Sequence, residues 1–261
     1  MRFGVCVSPE ETAAYLDAGI DYVEWPMSRT VGVMDDAKFD DLVGLAKGLP
    51  VVPEAWNAIL PASLKIVGPN ADPEGFMAYV TRAFSRAARL GGEVVVFGSG
   101  PSRAIPEGWP VDEATNAFQA LCERAADIAE ATQIELALEP LNRSETNLVN
   151  SVAEATAIAT SLRHPRLGVL SDLYHVTQEN ESLDGTAAAA ELLLHAHIAE
   201  PGERQAPKPG EHEATYVAFL TALHQAGYDA RLSIECRDLT PESAATAIAL
   251  LRELHAEVTA A

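Results

Sequence analysis

The chain has 261 residues, 38 of them acidic and 18 basic, so it carries a formal charge of −20, and no run of Lys or Arg offsets it. Such a field repels polyanions, which argues against nucleic acid or an anionic membrane as a partner. Three widely spaced cysteines, Cys6, Cys122 and Cys236, are too few and odd in number for a disulfide framework and fit a reducing, cytoplasmic compartment. The opening apolar stretch, Met1 to Val7, is too short and too soon followed by Pro9-Glu10-Glu11 for a signal peptide, and no apolar run approaches bilayer length.

This length suits either two small domains or one α/β barrel, which takes about 250 residues. In chain order the short apolar runs are Phe3 to Val7, Tyr22 to Trp25, Val51 to Pro53, Val94 to Phe97, Ile134 to Leu138, Leu167 to Ser171, Leu192 to Ile198 and Leu232 to Ile234. Longer stretches of helical period lie between them, such as Phe39, Leu42, Val43 and Ala46, or Phe118, Leu121, Ala125 and Ile128. Ala18-Gly19-Ile20-Asp21 and Ala226-Gly227-Tyr228-Asp229 read as glycine helix stops that lead into strands, and Thr240-Pro241-Glu242 reads as a capped helix start. Uninterrupted runs such as Val94-Val95-Val96-Phe97 need cover on both faces, the mark of a parallel sheet. Eight such units predict a single (β/α)8 TIM barrel over residues 1–261, with its chemistry at the C-terminal strand ends.

Four runs finish on a group that binds hard cations. Ile134 to Leu138 reaches Glu139, Leu167 to Ser171 reaches Asp172, Leu192 to Ala196 reaches His197, and Leu232 to Ile234 reaches Glu235. Strands five to eight thus deliver three carboxylates and an imidazole to adjacent positions on one half of the rim, a set suited to one divalent ion. Each residue alone would pass for a solvated or capping strand end; four in strand order make the metal reading the stronger one. His195 points the same way as His197 one layer deeper and is expected to pack or to support it. Glu24 and Glu54, read as the ends of strands two and three, either reach substrate hydroxyls or face solvent. Trp25 and Trp56 either wall a pocket or fill the core. Glu54 to Asp72 and Gly98 to Pro110 are long connections expected to act as walls or lids, and Gly98-Ser99-Gly100 is expected to turn into a Pro-broken loop, with no helix after it.

Taken together, Glu139-Pro140-Leu141-Asn142-Arg143-Ser144-Glu145, Asp172-Leu173-Tyr174-His175, His197-Ile198-Ala199-Glu200 and Ile234-Glu235 resemble the xylose-isomerase-like sugar phosphate isomerases/epimerases, nearest in motif to the ketose 3-epimerases. Asn57-Ala58-Ile59-Leu60-Pro61 and Lys65-Ile66-Val67-Gly68-Pro69 are similar to that family's loop after strand three. The resemblance implies that Glu139, Asp172, His197 and Glu235 bind one divalent metal ion (Mn, Mg, Co or Zn), that Glu139 and Glu235 also move protons, and that Glu145 and His175 contact substrate. Spacing alone would leave His175 as a supporting or core histidine. An Arg follows the ligand His in those epimerases at a slightly shorter interval than the one that separates His197 from Arg204, so Arg204 is either a substrate contact or a solvated loop cation beside Glu203.

The implied reaction is proton abstraction beside a carbonyl, through an enediolate, in a small carbohydrate-like hydroxy-ketone. Two bases on opposite faces would epimerise; one base would isomerise. The rivals are a lyase acting on keto-glycosides and a non-catalytic sugar-binding barrel. The endonuclease branch of the superfamily fits poorly, since it needs extra His ligands that strands three and four do not supply. Assembly into a homo-oligomer is possible for a barrel of this kind.

Overall fold

A computed structural model describes residues 1–260. Eight parallel strands form a closed barrel in chain order: β1 (Arg2–Cys6), β2 (Tyr22–Pro26), β3 (Ala55–Asn57), β4 (Val94–Phe97), β5 (Glu135–Leu138), β6 (Leu167–Asp172), β7 (Leu193–Ile198) and β8 (Arg231–Ile234), with β8 pairing back onto β1. This is the (β/α)8 architecture that the alternating apolar runs predict. Strand alternation sends Tyr22, Ala55, Val94, Val96, Ala137 and Leu170 into the bore as a compact buried cluster. It sends Val23, Trp25, Trp56, Val95 and Phe97 outward into the larger core beneath the helices.

The main helical cover comes from Asp36–Gly48, Pro73–Arg89, Val111–Thr132, Val152–Leu162, Glu213–Gln225 and Pro241–Ala260. Between β1 and β2 the cover is a 3-10 helix, Thr12–Ala18, which ends on Gly19 at φ 79°. Helix starts follow local chemistry. Asp35, Asp72 and Ser151 each accept a hydrogen bond from the backbone N–H three residues on, at 2.9, 2.8 and 3.1 Å, which satisfies a donor that the first turn leaves free. Thr240 does the same for Ser243 at 3.2 Å, at the start signal read before Pro241.

The third strand lies four residues later than the run Val51 to Pro53 suggests. Pro53 has no N–H for a ladder, and Val52 stays 44% exposed, contributing one carbonyl to Val23 N at 3.1 Å. Regular pairing begins at Ala55, where a small residue fits the bore and Trp56 fills the outer core, edge-on to Trp25 at 5.6 Å. Both tryptophans are therefore core. The shift also moves Glu54 to the opposite end of the barrel from a substrate. Buried at the N-terminal mouth, it accepts from Arg2 Nη1 at 2.5 Å and Arg231 Nε at 2.8 Å. Arg231 also pairs with Glu93. Between β6 and β7 the register slips by one, from Val169 opposite Leu193 to Leu170 opposite His195. This bulge lets Leu194 pack on the inner cluster while His195 and His197 still point into the bore.

Candidate metal and proton-transfer site

Glu139 and Glu235 each stand one residue beyond their strand, Asp172 ends β6, and His197 sits one residue before the end of β7. One side-chain atom from each of the four can be chosen so that all lie within 4.8 Å of one another. His197 Nδ1 is 3.4 Å from Glu139 Oε1 and 3.5 Å from Glu235 Oε2. Glu139 Oε1, Asp172 Oδ2 and His197 Nδ1 are buried without a hydrogen-bond partner. Leaving three such atoms uncompensated costs about 1–3 kcal/mol apiece. A cation that all three could bind removes the cost, so this donor set fits a metal ion.

The histidine is prepared for that task from below. Glu24, fully buried inside the bore, accepts from His197 Nε2 at 3.0 Å, from His195 Nε2 at 2.8 Å and from Ser233 Oγ at 2.5 Å, and Ser233 is itself bonded to Tyr22 Oη at 2.7 Å. Holding Nε2 on Glu24 turns Nδ1 towards the cluster, the carboxylate–histidine arrangement that orients a ligating imidazole. Glu24 is thus a support for the ligand, with both of its oxygens already engaged. His195 has the supporting role expected of it.

Charge is unevenly spread across the cluster. Burial pushes the Glu139 carboxyl above its ordinary range. Burial also works against the Glu235 anion, but His197 and Arg204 outweigh it and hold this carboxyl well below the usual range. Burial likewise disfavours a charged His197, yet Glu24 and Glu235 override it and raise the imidazole well above its ordinary value. A second grouping, Cys6 with Glu24 and His197, also comes within 4.8 Å. It is the poorer metal site, because Glu24 already spends both oxygens on the histidines and Ser233, and burial raises the Cys6 thiol well above its normal value.

The three residues expected around substrate converge on the same mouth. Arg204 donates to Glu235 Oε2 at 2.6 Å and Glu145 Oε1 at 3.0 Å, lies 3.8 Å from Asp172 Oδ2, and rests 4.7 Å above the Tyr174 ring. Its side chain is 15% exposed, so it is no solvated loop cation. His175 Nδ1 accepts from the Asn142 backbone at 3.2 Å and faces Asn142 Nδ2 at 2.9 Å, which leaves the proton on Nε2, buried, unpartnered and 3.6 Å from Asp172 Oδ2. Glu145 meets both Arg204 and Asn142.

Four contributors receive no role from the sequence, although Asn57, Asn142 and Tyr174 lie within the motifs that carry the resemblance. Asn57 donates to Glu235 Oε1 at 2.9 Å from the end of β3, a strand whose position the pattern misplaces. Arg103, fully buried, donates to the carbonyls of Phe97, Glu139 and Val149 at 3.1, 2.8 and 3.3 Å, and its burial pulls it down to about 10. It belongs to a one-turn helix, Gly100–Arg103, where the sequence suggested only a loop. Tyr174 supplies the face under Arg204, and Asn142 sets the His175 proton. Gly98 has a steric task, since a Cβ there would fall 2.1 Å from Glu139 Oε2.

The arrangement can therefore hold a hard cation, place two carboxylates and an arginine around a bound oxygen-rich molecule, and move protons within a largely buried mouth. Among the described residues no helix is long and apolar enough to cross a membrane. Ketose 3-epimerase of Arthrobacter globiformis is 34% identical over 113 residues, 43% of this chain and 38% of that protein, so the aligned stretch spans well under half of the relative's length. The structure of an L-ribulose 3-epimerase superposes with a TM-score of 0.81 at 22% identity, covering 99% of this chain and 96% of that one. A 3-keto-D-glucoside 4-epimerase from Escherichia coli superposes with a TM-score of 0.78 at 18% identity, covering 97% and 99%. The model of the xylose isomerase-like TIM barrel matches residues 12–254, and the chain belongs to that family.

Proposed function

We propose that the protein is an enzyme, a divalent-metal-dependent epimerase or isomerase of a sugar-like hydroxy-ketone, working through proton exchange beside the carbonyl. The observation that carries this reading is the convergence of Glu139, Asp172, His197 and Glu235, with three of their buried polar atoms otherwise unpartnered. These four would hold one ion of Mn, Mg, Co or Zn. Such an ion polarises a carbonyl and the neighbouring hydroxyl, acidifying the C–H between them.

The chain's own residues supply the rest. β5 and β8 lie three strand positions apart in a ring of eight, so Glu139 and Glu235 approach the centre from nearly opposite sides of the rim. Of these two carboxylates one takes the proton and the other returns one to the opposite face, with Arg204 and His197 placed beside Glu235 to steady its charge. That division gives epimerisation. Arg204 balances the negative charge of the mouth, and Glu145 and His175 offer polar contacts to the hydroxyls beyond the reacting carbon. Small carbohydrates are the expected substrates, in keeping with the ketose and keto-glycoside epimerases it resembles.

The test is solvent exchange. Protein stripped of metal and reloaded with each of the four ions is incubated in heavy water with free ketoses and keto-glycosides, and deuterium at the carbon beside the carbonyl is followed by NMR. Exchange with inversion supports the epimerase; exchange with carbonyl migration gives the isomerase. Release of an aglycone replaces both with the lyase. Binding of sugar without exchange under any ion leaves a sugar-binding barrel.

A further inference from the structure

Beyond the reacting centre lies more room than a monosaccharide needs. A cavity of about 520 Å³ runs from Asn57, Arg204 and Glu235 outward past Cys6 and Pro26 to Arg29 and Met34. At Glu10, Arg29 and Met34 it meets a second cavity of about 440 Å³, whose far wall is the helix Asp36–Gly48. The first alone has the size that houses a drug-sized ligand, and one hexose falls well short of that.

The outer part differs in chemistry from the inner part. Val33 is 53% and Leu45 40% exposed, two of the four large apolar side chains most open to solvent among the described residues, and both line this second cavity. On the helix, Lys38, Asp41, Leu42 and Leu45 follow i, i+3, i+4, i+7 spacing and so form one face along the groove. Lys38 and Arg29 are balanced by Asp41 and Glu10, which leaves the groove without a net charge, and Val33, Met34, Leu42 and Leu45 make up the other half of its lining.

The apolar ledge is also held rigid. Arg86 donates to the carbonyls of Val31 and Met34 at 3.1 and 2.7 Å, Arg82 donates to that of Gly32 at 2.5 Å, and Thr30 ties back to Pro26 O at 2.6 Å. Gly32 passes so close to Tyr79 that a Cβ there would lie 1.9 Å from its hydroxyl. Four side-chain bonds therefore fix a loop that presents apolar groups to water. A surface already held in shape binds without the ordering cost that a mobile loop would incur.

We infer that the substrate is a keto-sugar carrying an apolar, ring-sized aglycone, which lies on the ledge of Val33, Met34, Leu42 and Leu45 while the sugar occupies the mouth beside Glu235. This rests on the hydroxy-ketone reading of the site and narrows its substrate to a glycoside. Arg29, at the junction of the two cavities and without an ion-pair partner among the described residues, is placed to cover an aromatic aglycone.

Calorimetry of the metal-loaded protein with phenyl 3-keto-β-glucoside and with free 3-keto-glucose tests this, beside deuterium exchange into each. The glycoside is expected to bind at least about tenfold tighter, the worth of burying roughly half of a phenyl ring's surface. Val33→Asp and Leu45→Asp should erase that advantage while leaving affinity and exchange for the free sugar unchanged. Both positions are exposed, so the fold tolerates them, and unchanged melting confirms it. Equal affinities for the two ligands, or a glycoside advantage that survives both substitutions, overturns the inference. So does a wild-type dimer that either substitution splits, since a second copy would then own the ledge. Glycoside binding that the substitutions weaken, without exchange into either ligand, keeps the aglycone site and refutes the catalytic reading instead.

Discussion

Both ends of the barrel bore carry buried carboxylates, and they are treated in opposite ways. At the N-terminal end Glu54 is met by Arg2 and Arg231, and Arg231 reaches on to Glu93, so anions and cations alternate. At the C-terminal end Glu139, Asp172 and Glu235 crowd around one imidazole, Arg204 is the one guanidinium among the described residues that meets their carboxylates, and oxygens of Glu139 and Asp172 remain unpartnered. A buried anion with its counter-charge is a structural plug; a group of anions short of counter-charge is a place for a cation to bind. The contrast teaches that burial of a carboxylate says little until its partners are counted. Between the two ends Glu24 shares both characters, fully paired itself yet serving the ligand above it.

Four changes would break or sharpen this contrast. The largest effect is expected for Glu235→Gln, which can still offer an oxygen to a metal but cannot accept a proton. Deuterium exchange should fall about 10²–10⁴-fold with the melting temperature nearly unchanged. Exchange at the wild-type rate would remove Glu235 from proton transfer. Next comes Glu24→Gln, where the amide can no longer take hydrogen bonds from both histidines with both of its ends. Metal affinity should drop by about 10–100-fold, as read by competition with a chromophoric chelator. Unaltered affinity would reduce Glu24 to a filler of the bore.

The third concerns pH. Glu24 and Glu235 raise His197 well above its ordinary value, so an incoming ion competes with a proton at Nδ1 over a wider range of pH than at an ordinary histidine. Metal binding therefore releases a proton, and affinity should keep rising above pH 6.5, by up to about tenfold per pH unit, until the pH passes the raised value. An ordinary histidine would reach its plateau near 6.5. Affinity that is flat from pH 6.5 upward contradicts the raised imidazole. The smallest effect on catalysis belongs to the other end of the barrel. Glu54→Gln should leave exchange intact and cost about 1–3 kcal/mol in urea unfolding, since Arg231 keeps Glu93 while Arg2 keeps only the Asp21 carbonyl and a neutral amide oxygen. A loss of exchange would join the two ends functionally and dissolve the contrast.

The sequence alone determined the alternation of strands and helices, because period-two and period-3.6 burial are local patterns and Gly19, Asp35 or Thr240 punctuate them with local bonds. It also carried the four candidate ligands, since a residue one step past an apolar run must emerge at the rim wherever the strand lies in the barrel. The third strand escaped because Ala55 and Asn57 face the bore, where a small and a polar residue fit a position that composition would not mark as strand. Tertiary structure decided the rest, and for one reason: it depends on which distant groups share a space. Nothing in the chain pairs Glu24 with His195 and His197, 171 and 173 residues away, or sends Glu54 to Arg231, 177 residues on. Likewise Arg204 reads equally as a substrate contact or a solvated loop cation until closure of β8 onto β1 and the path of the β7 loop bring its guanidinium to Glu235 and Glu145. Charges interact through distance in space, and only the closed barrel sets that distance.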